Sequence, residues 1–135
     1  MKIFLDTADT EIIKKYWSTG LIDGITTNPS LIMKSGRNPE DVYQELVDLG
    51  VPDISMEVVG SDLEMYDEGI RLYEKFGPVC TVKVPCTREG LIVCKRLSEQ
   101  GIKVNVTLIF CASQAVLAAK AGATYVSPFV GRLDD

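Results

Sequence analysis

Apolar residues along this chain gather into short runs, separated by longer stretches in which they recur every three or four positions. The runs span Lys2 to Asp6, Gly24 to Asn28, Ile54 to Val59, Val79 to Pro85, Lys103 to Phe110 and Tyr125 to Val130. Their length and β-branched content predict strands. Between them, Asp9 to Ser18, Pro39 to Leu49, Thr87 to Gln100 and Ala112 to Ala121 predict amphipathic helices, each followed soon by a glycine that can end it. Ser61-Asp62-Leu63-Glu64 is a capping box opening a further helix, with Leu63, Tyr66, Ile70 and Tyr73 as its expected apolar stripe and Gly77-Pro78 as its stop. Strand and helix alternate throughout, which predicts parallel strands joined by crossover helices.

Within the strands a second period appears. Thr81 and Lys83 alternate with Val82 and Val84; Ser55 and Glu57 alternate with Ile54, Met56 and Val58; Lys103, Asn105 and Thr107 alternate with Val104, Val106 and Leu108. Thr26 and Asn28 share a face, as do Ser127 and Phe129. An open parallel sheet covered on both faces reads as nearly continuous apolar residues, so this alternation points elsewhere. It fits a parallel (β/α) barrel of TIM type, in which one strand face meets the helices and the other lines the interior. About six strand-like runs are present where such a barrel uses eight, so the expected architecture is α/β, a single partial barrel domain over residues 1–135 with about six of eight βα units. Its first and sixth strands would be unpaired edges, which leaves a compact six-stranded arrangement or, as the expected partner, a homo-oligomer formed through those edges.

Composition narrows the function. Fourteen Lys and Arg against nineteen Asp and Glu leave a net charge of -5, without the basic field that gathers nucleic acid or anionic lipid. No apolar run approaches membrane length, and the N-terminus M-K-I-F-L-D lacks the apolar core of a secretory signal; a cytoplasmic protein is expected. Four cysteines form no C-x-x-C pair and histidine is absent, so reduced structural thiols are expected, and neither a metal nor a cofactor.

Barrel enzymes place their chemistry at the C-terminal ends of several strands. Asp6, Thr26, Asn28, Glu57, Lys83, Asn105, Thr107 and Ser127 fall there, with Arg132 just beyond the sixth strand. A lysine in a desolvated interior favours its neutral, nucleophilic form and can attack a carbonyl to make a Schiff base. Two separately placed carboxylates suit the proton transfers of such chemistry, amides and hydroxyls suit a polyhydroxylated substrate, and an arginine suits a phosphate. Taken singly, each residue also has a structural reading: Lys83 as an edge residue or the partner of Glu57 in an ion pair, Asn28 as the cap of a helix beginning at Pro29. Their convergence on one side of every strand favours a site.

D-T-A at Asp6, T-T-N-P at Thr26 to Pro29, V-K-V-P at Val82 to Pro85, N-V-T-L-I-F at Asn105 to Phe110 and Y-V-S-P-F-V-G-R at Tyr125 to Arg132 resemble, in order and spacing, the small bacterial and archaeal transaldolases. The resemblance covers the whole chain and implies a class I aldolase-like barrel truncated at its C-terminus. It implies Lys83 as the Schiff-base lysine, Asp6 as the acid/base for carbon–carbon cleavage, and Glu57 with Thr107 around a catalytic water. It further implies Asn28 and Asn105 at substrate hydroxyls with Thr26 lining the site, Ser127 at the dihydroxyacetone end and Arg132 at the phosphate. The reaction implied moves a dihydroxyacetone unit from fructose 6-phosphate to an aldose phosphate. Fructose-6-phosphate aldolases resemble the chain less, having typically glutamine in place of Glu57 and tyrosine in place of Phe129. Direct aldol cleavage is the alternative activity, and a catalytically silent, self-associating barrel fragment the alternative of another class.

Overall fold

The computed structural model describes residues 1–130. Six strands, β1 (Phe4–Asp6), β2 (Gly24–Thr26), β3 (Ile54–Glu57), β4 (Cys80–Pro85), β5 (Lys103–Ile109) and β6 (Tyr125–Pro128), form one sheet in chain order with every neighbouring pair parallel. Helices α1 (Thr10–Trp17), α2 (Pro29–Lys34), α3 (Pro39–Leu49), α4 (Asp62–Phe76), α5 (Arg88–Glu99) and α6 (Ala112–Lys120) fill the connections. Among the described residues no helix is long and apolar enough to cross a membrane.

Side chains reach across the concave face between strands that are not neighbours. Asn105 Nδ2 on β5 donates to Ser55 Oγ on β3 at 3.2 Å, Tyr125 OH on β6 donates to Asp53 just before β3 at 2.7 Å, and the rings of Phe4 on β1 and Tyr125 meet edge to face at 5.2 Å. Only a curled sheet allows these contacts, and among the described residues the fold is an incomplete TIM-type barrel of six strands with helices in the five connections between them. Its convex face carries Ile25, Ile54, Met56, Val82, Val84, Val104 and Val106, all fully buried against the helices. Each such side chain contributes about 1.5–3 kcal/mol on leaving water. The alternation read along the strands is therefore a division between this outer core and a polar lumen.

Local chemistry explains the elements. Asp9, Asn28, Asn38, Ser61 and Thr87 each accept a backbone N–H of the first turn of the helix that follows. Gly90 lies where α5 leaves β4: a Cβ there would stand 1.8 Å from the Pro85 carbonyl oxygen, so the helix start can press onto the strand end only without a side chain.

Three expectations require correction. In α4 the buried stripe is Met65, Gly69 and Leu72, with Tyr66, Ile70 and Tyr73 flanking it and Leu63 exposed. Gly69 sets this face, since a Cβ there would lie 3.1 Å from Leu97 and 3.3 Å from Val82; a glycine carries no apolar signal in sequence. In β5, Leu108 is not the next outward residue after Val106. It is a bulge with φ of 62°, and Ile109, paired with Pro128, continues the helix-facing side. Of the four free cysteines, Cys80 and Cys94 are buried as expected of structural thiols, whereas Cys111 is exposed at the start of α6.

Candidate active site

The C-terminal ends of the strands open onto a pocket of about 560 Å³. Asp6, Thr26, Asn28, Lys83, Thr107, Ser127 and Phe129 all line it, brought from five strands and the turns that follow them. Glu57 pairs in register with Lys83 but lines the adjoining groove between α2 and α4, where Asn28 is also present. Asn105 lies beneath the pocket, 2% exposed, its Oδ1 accepting from Ser127 Oγ at 2.8 Å while its Nδ2 donates to Ser55. Arg132 lies outside the described residues.

Lys83 is 8% exposed, and its Nζ donates to the Thr27 carbonyl oxygen at 3.3 Å. Among the described residues no carboxylate stands within 4.0 Å of it, so the ion pair with Glu57 that would make it a structural lysine is not formed. Asp6 is exposed at the pocket's edge and accepts from Thr26 Oγ1 at 2.9 Å. Burial pushes the Glu57 carboxyl up from the ordinary range; Lys83 opposes that shift and Asp6 adds to it. Thr107 is buried, and its Oγ1 is the buried side-chain polar atom left without a hydrogen-bond partner among the described residues. A buried hydroxyl without a partner is costly unless something occupies the space beside it.

Asn28 serves two masters. Its Oδ1 caps α2, accepting from Ser30 N at 2.9 Å and Leu31 N at 3.4 Å, while the residue also borders the pocket. The capping and substrate readings of T-T-N-P are thus compatible. Phe110 packs edge to face on Phe129 at 5.6 Å, fixing an apolar wall at the pocket's far side. Several contributors carried no chemical signal in sequence: the Thr27 carbonyl, Ala8 and Leu31 in the lining, and the Leu108 bulge that directly follows Thr107. A leucine in the left-handed region costs about 1–2 kcal/mol, and bulges of this kind gather beside active sites.

This arrangement presents one buried amine, a carboxylate facing the same space, a second carboxylate nearby and several hydroxyl-binding groups, with no ion pair to the lysine among the described residues. Known proteins share it to different depths. A chain in the carboxyl transferase domain of Rhizobium etli pyruvate carboxylase superposes with a TM-score of 0.58 over 93% of this chain and 26% of its own, at 15% identity, which speaks to the barrel alone. Probable transaldolases of Nitrosopumilus maritimus and Anaeromyxobacter dehalogenans strain 2CP-C are 57% and 59% identical over the full chain. The chain spans 61% and 62% of their lengths. The family model described as Transaldolase/Fructose-6-phosphate aldolase matches residues 3–135. With both the fold and nearly every residue of the chain accounted for by that match, the chain belongs to the transaldolase/fructose-6-phosphate aldolase family.

Proposed function

We propose that the chain carries transaldolase-type chemistry, moving a dihydroxyacetone unit from a ketose phosphate such as fructose 6-phosphate to an aldose phosphate through a Schiff base on Lys83. The observation that supports this reading is the setting of Lys83: buried, free of any ion pair among the described residues, and open to a pocket that also holds Asp6 and Thr107. A lysine buried for structure alone needs a charged partner.

The amine attacks the C2 carbonyl, forming a carbon–nitrogen bond, and the former carbonyl oxygen takes up a proton. Its departure as water leaves the iminium. Thr107 and Glu57 hold the water that relays these protons, the raised Glu57 carboxyl being displaced toward the range a relay near neutral pH needs. Asp6, oriented by Thr26, takes the proton of the C4 hydroxyl as the C3–C4 bond breaks and its electron pair enters the iminium to make an enamine. The enamine then adds to the acceptor aldehyde, and water releases the product from Lys83. Asn28, Asn105 and Ser127 hold hydroxyls, and Arg132 the phosphate. Phe129 offers no phenol to orient a water, which favours transfer to an acceptor over release of free dihydroxyacetone.

Borohydride added with fructose 6-phosphate should trap a secondary amine, seen as a mass increase of the intact protein and mapped by peptide to Lys83. A folded protein that gains no mass, or an adduct that survives Lys83→Ala, overturns the reading.

A further inference from the structure

We propose that Thr27 is a positioning residue of the reaction: its backbone carbonyl takes the one N–H that Lys83 keeps once its amine has become an iminium, and so fixes the plane of the carbon–nitrogen double bond in the pocket. The inference rests on the Schiff-base reading of Lys83 and goes beyond it, since the groups given there act on the substrate and leave the nitrogen itself unoriented. Lys83 Nζ donates to the Thr27 carbonyl oxygen at 3.3 Å and stands in no ion pair among the described residues. The parallel ladder of β2 with β3 sets Thr26 opposite Ser55, and the Thr27 N–H adds a last rung to the Ser55 carbonyl oxygen at 3.3 Å. The Thr27 carbonyl lies where the following rung would form, and it receives a side-chain donor in place of a backbone one.

That peptide is held in place by its own side chain. Thr27 is fully buried, and its Oγ1 donates to the same Ser55 carbonyl oxygen at 2.8 Å, a second tether beside the N–H. Tyr43, buried on α3, sets its phenol beside the Thr27 side chain; burial pushes the phenol up to about 12, so it stays a neutral hydroxyl there. Loss of water from the carbinolamine leaves a planar unit with a single N–H, in the same plane as C1, C2 and C3 of the substrate. With that N–H on the Thr27 carbonyl, the plane cannot turn about the end of the lysine chain. The breaking C3–C4 bond must stand across the plane for its electron pair to enter the iminium, so a fixed plane also fixes the direction of that bond relative to Asp6 in the same pocket. Orientation of this kind acts on rate more than on binding.

Thr27→Val keeps the shape of the side chain and removes its tether, whereas Thr27→Ser keeps the tether. With fructose 6-phosphate and borohydride, Thr27→Val should gain the Lys83 adduct about tenfold more slowly than the unsubstituted chain, at an unchanged half-saturating substrate concentration, and Thr27→Ser should restore the rate. A merely structural role would lower the final fraction of chain that reacts and leave the rate of that fraction alone. A second readout needs no substitution at Thr27. Thr27–Asn28 is the sole Thr–Asn pair in the sequence, so isotopic labelling of threonine carbonyls together with asparagine nitrogens marks that one peptide for NMR. Its carbonyl resonance should move when fructose 6-phosphate is added, and stay in place in Lys83→Ala. An adduct that forms as fast in Thr27→Val as in the unsubstituted chain, or a Thr27 carbonyl that does not respond while the adduct forms, overturns the inference and leaves the Schiff base standing. No adduct in the unsubstituted chain overturns both.

Discussion

The hydroxyl of Thr107 is buried beside Lys83's pocket with no protein partner among the described residues, and this separates its structural from its chemical value. Thr107→Val removes an unsatisfied polar group at nearly constant shape, so stability should hold or rise by about 1 kcal/mol. Turnover should fall about a hundredfold if the hydroxyl positions a proton-relay water. Denaturant midpoints and steady-state rates on the same preparation check both halves. Glu57 is a second case, read through pH. Burial raises its carboxyl in the folded chain above the ordinary value of 4.5, so the folded state holds the proton more tightly than the unfolded one. The stability linked to that proton is fully present below pH 4.5 and is lost as pH rises through the raised value. Relative to Glu57→Gln, the unsubstituted chain should lose stability across that window and then run parallel; urea midpoints at a series of pH values measure it. A constant difference at all pH values would contradict the burial of this carboxyl.

Among the elements, α2 shows how a helix terminus and a pocket wall can share one residue. Asn28 caps α2 through Oδ1, leaving its amide N–H groups for a ligand. Asn28→Asp keeps the cap and removes the donors, so stability should stay within about 0.5 kcal/mol while KM for the ketose phosphate rises. Asn28→Ala should lose both, at a cost of about 1 kcal/mol in thermal or chemical denaturation. The T-T-N-P motif made the cap legible in advance, beside the substrate contact proposed for the same residue. By contrast, the Leu108 bulge was not legible, because nothing in V-T-L-I-F departs from an ordinary strand; it shows only once β6 pairs with two points on β5 that skip a residue. The same holds for Gly69, whose value lies in the helix and strand it lets approach.

At the scale of the whole molecule, the lumen floor is held by Asp53, nearly buried, which accepts from Thr81 Oγ1 at 2.7 Å and Tyr125 OH at 2.7 Å and ion-pairs with Lys103 at 3.1 Å. It joins β3, β4, β5 and β6 at the pole opposite the pocket. Asp53→Ala leaves the buried Thr81 hydroxyl without its acceptor and releases the partly exposed Tyr125 hydroxyl and Lys103 amine, and should cost about 1–3 kcal/mol, read as a lowered urea midpoint. Tyr125→Phe, which removes one bond and keeps the ring against Phe4, should cost about 1 kcal/mol.

Sequence alone determined the alternation of strand and helix, the parallel order, the polar lumen and the family, because those follow from residue periods and motifs that depend on near neighbours along the chain. Lys83, Asp6, Thr26, Asn28, Thr107 and Ser127 could be assigned to one mouth for the same reason: strand parity is local. Only the tertiary structure decided that Glu57 borders a side groove, that Asn105 is engaged from below by Ser55 and Ser127, and that Asp53 ties the floor together. Those facts depend on how tightly six strands curl. Curl is set by packing between residues far apart in the chain, as in the contact of Phe4 with Tyr125, and no local pattern records it.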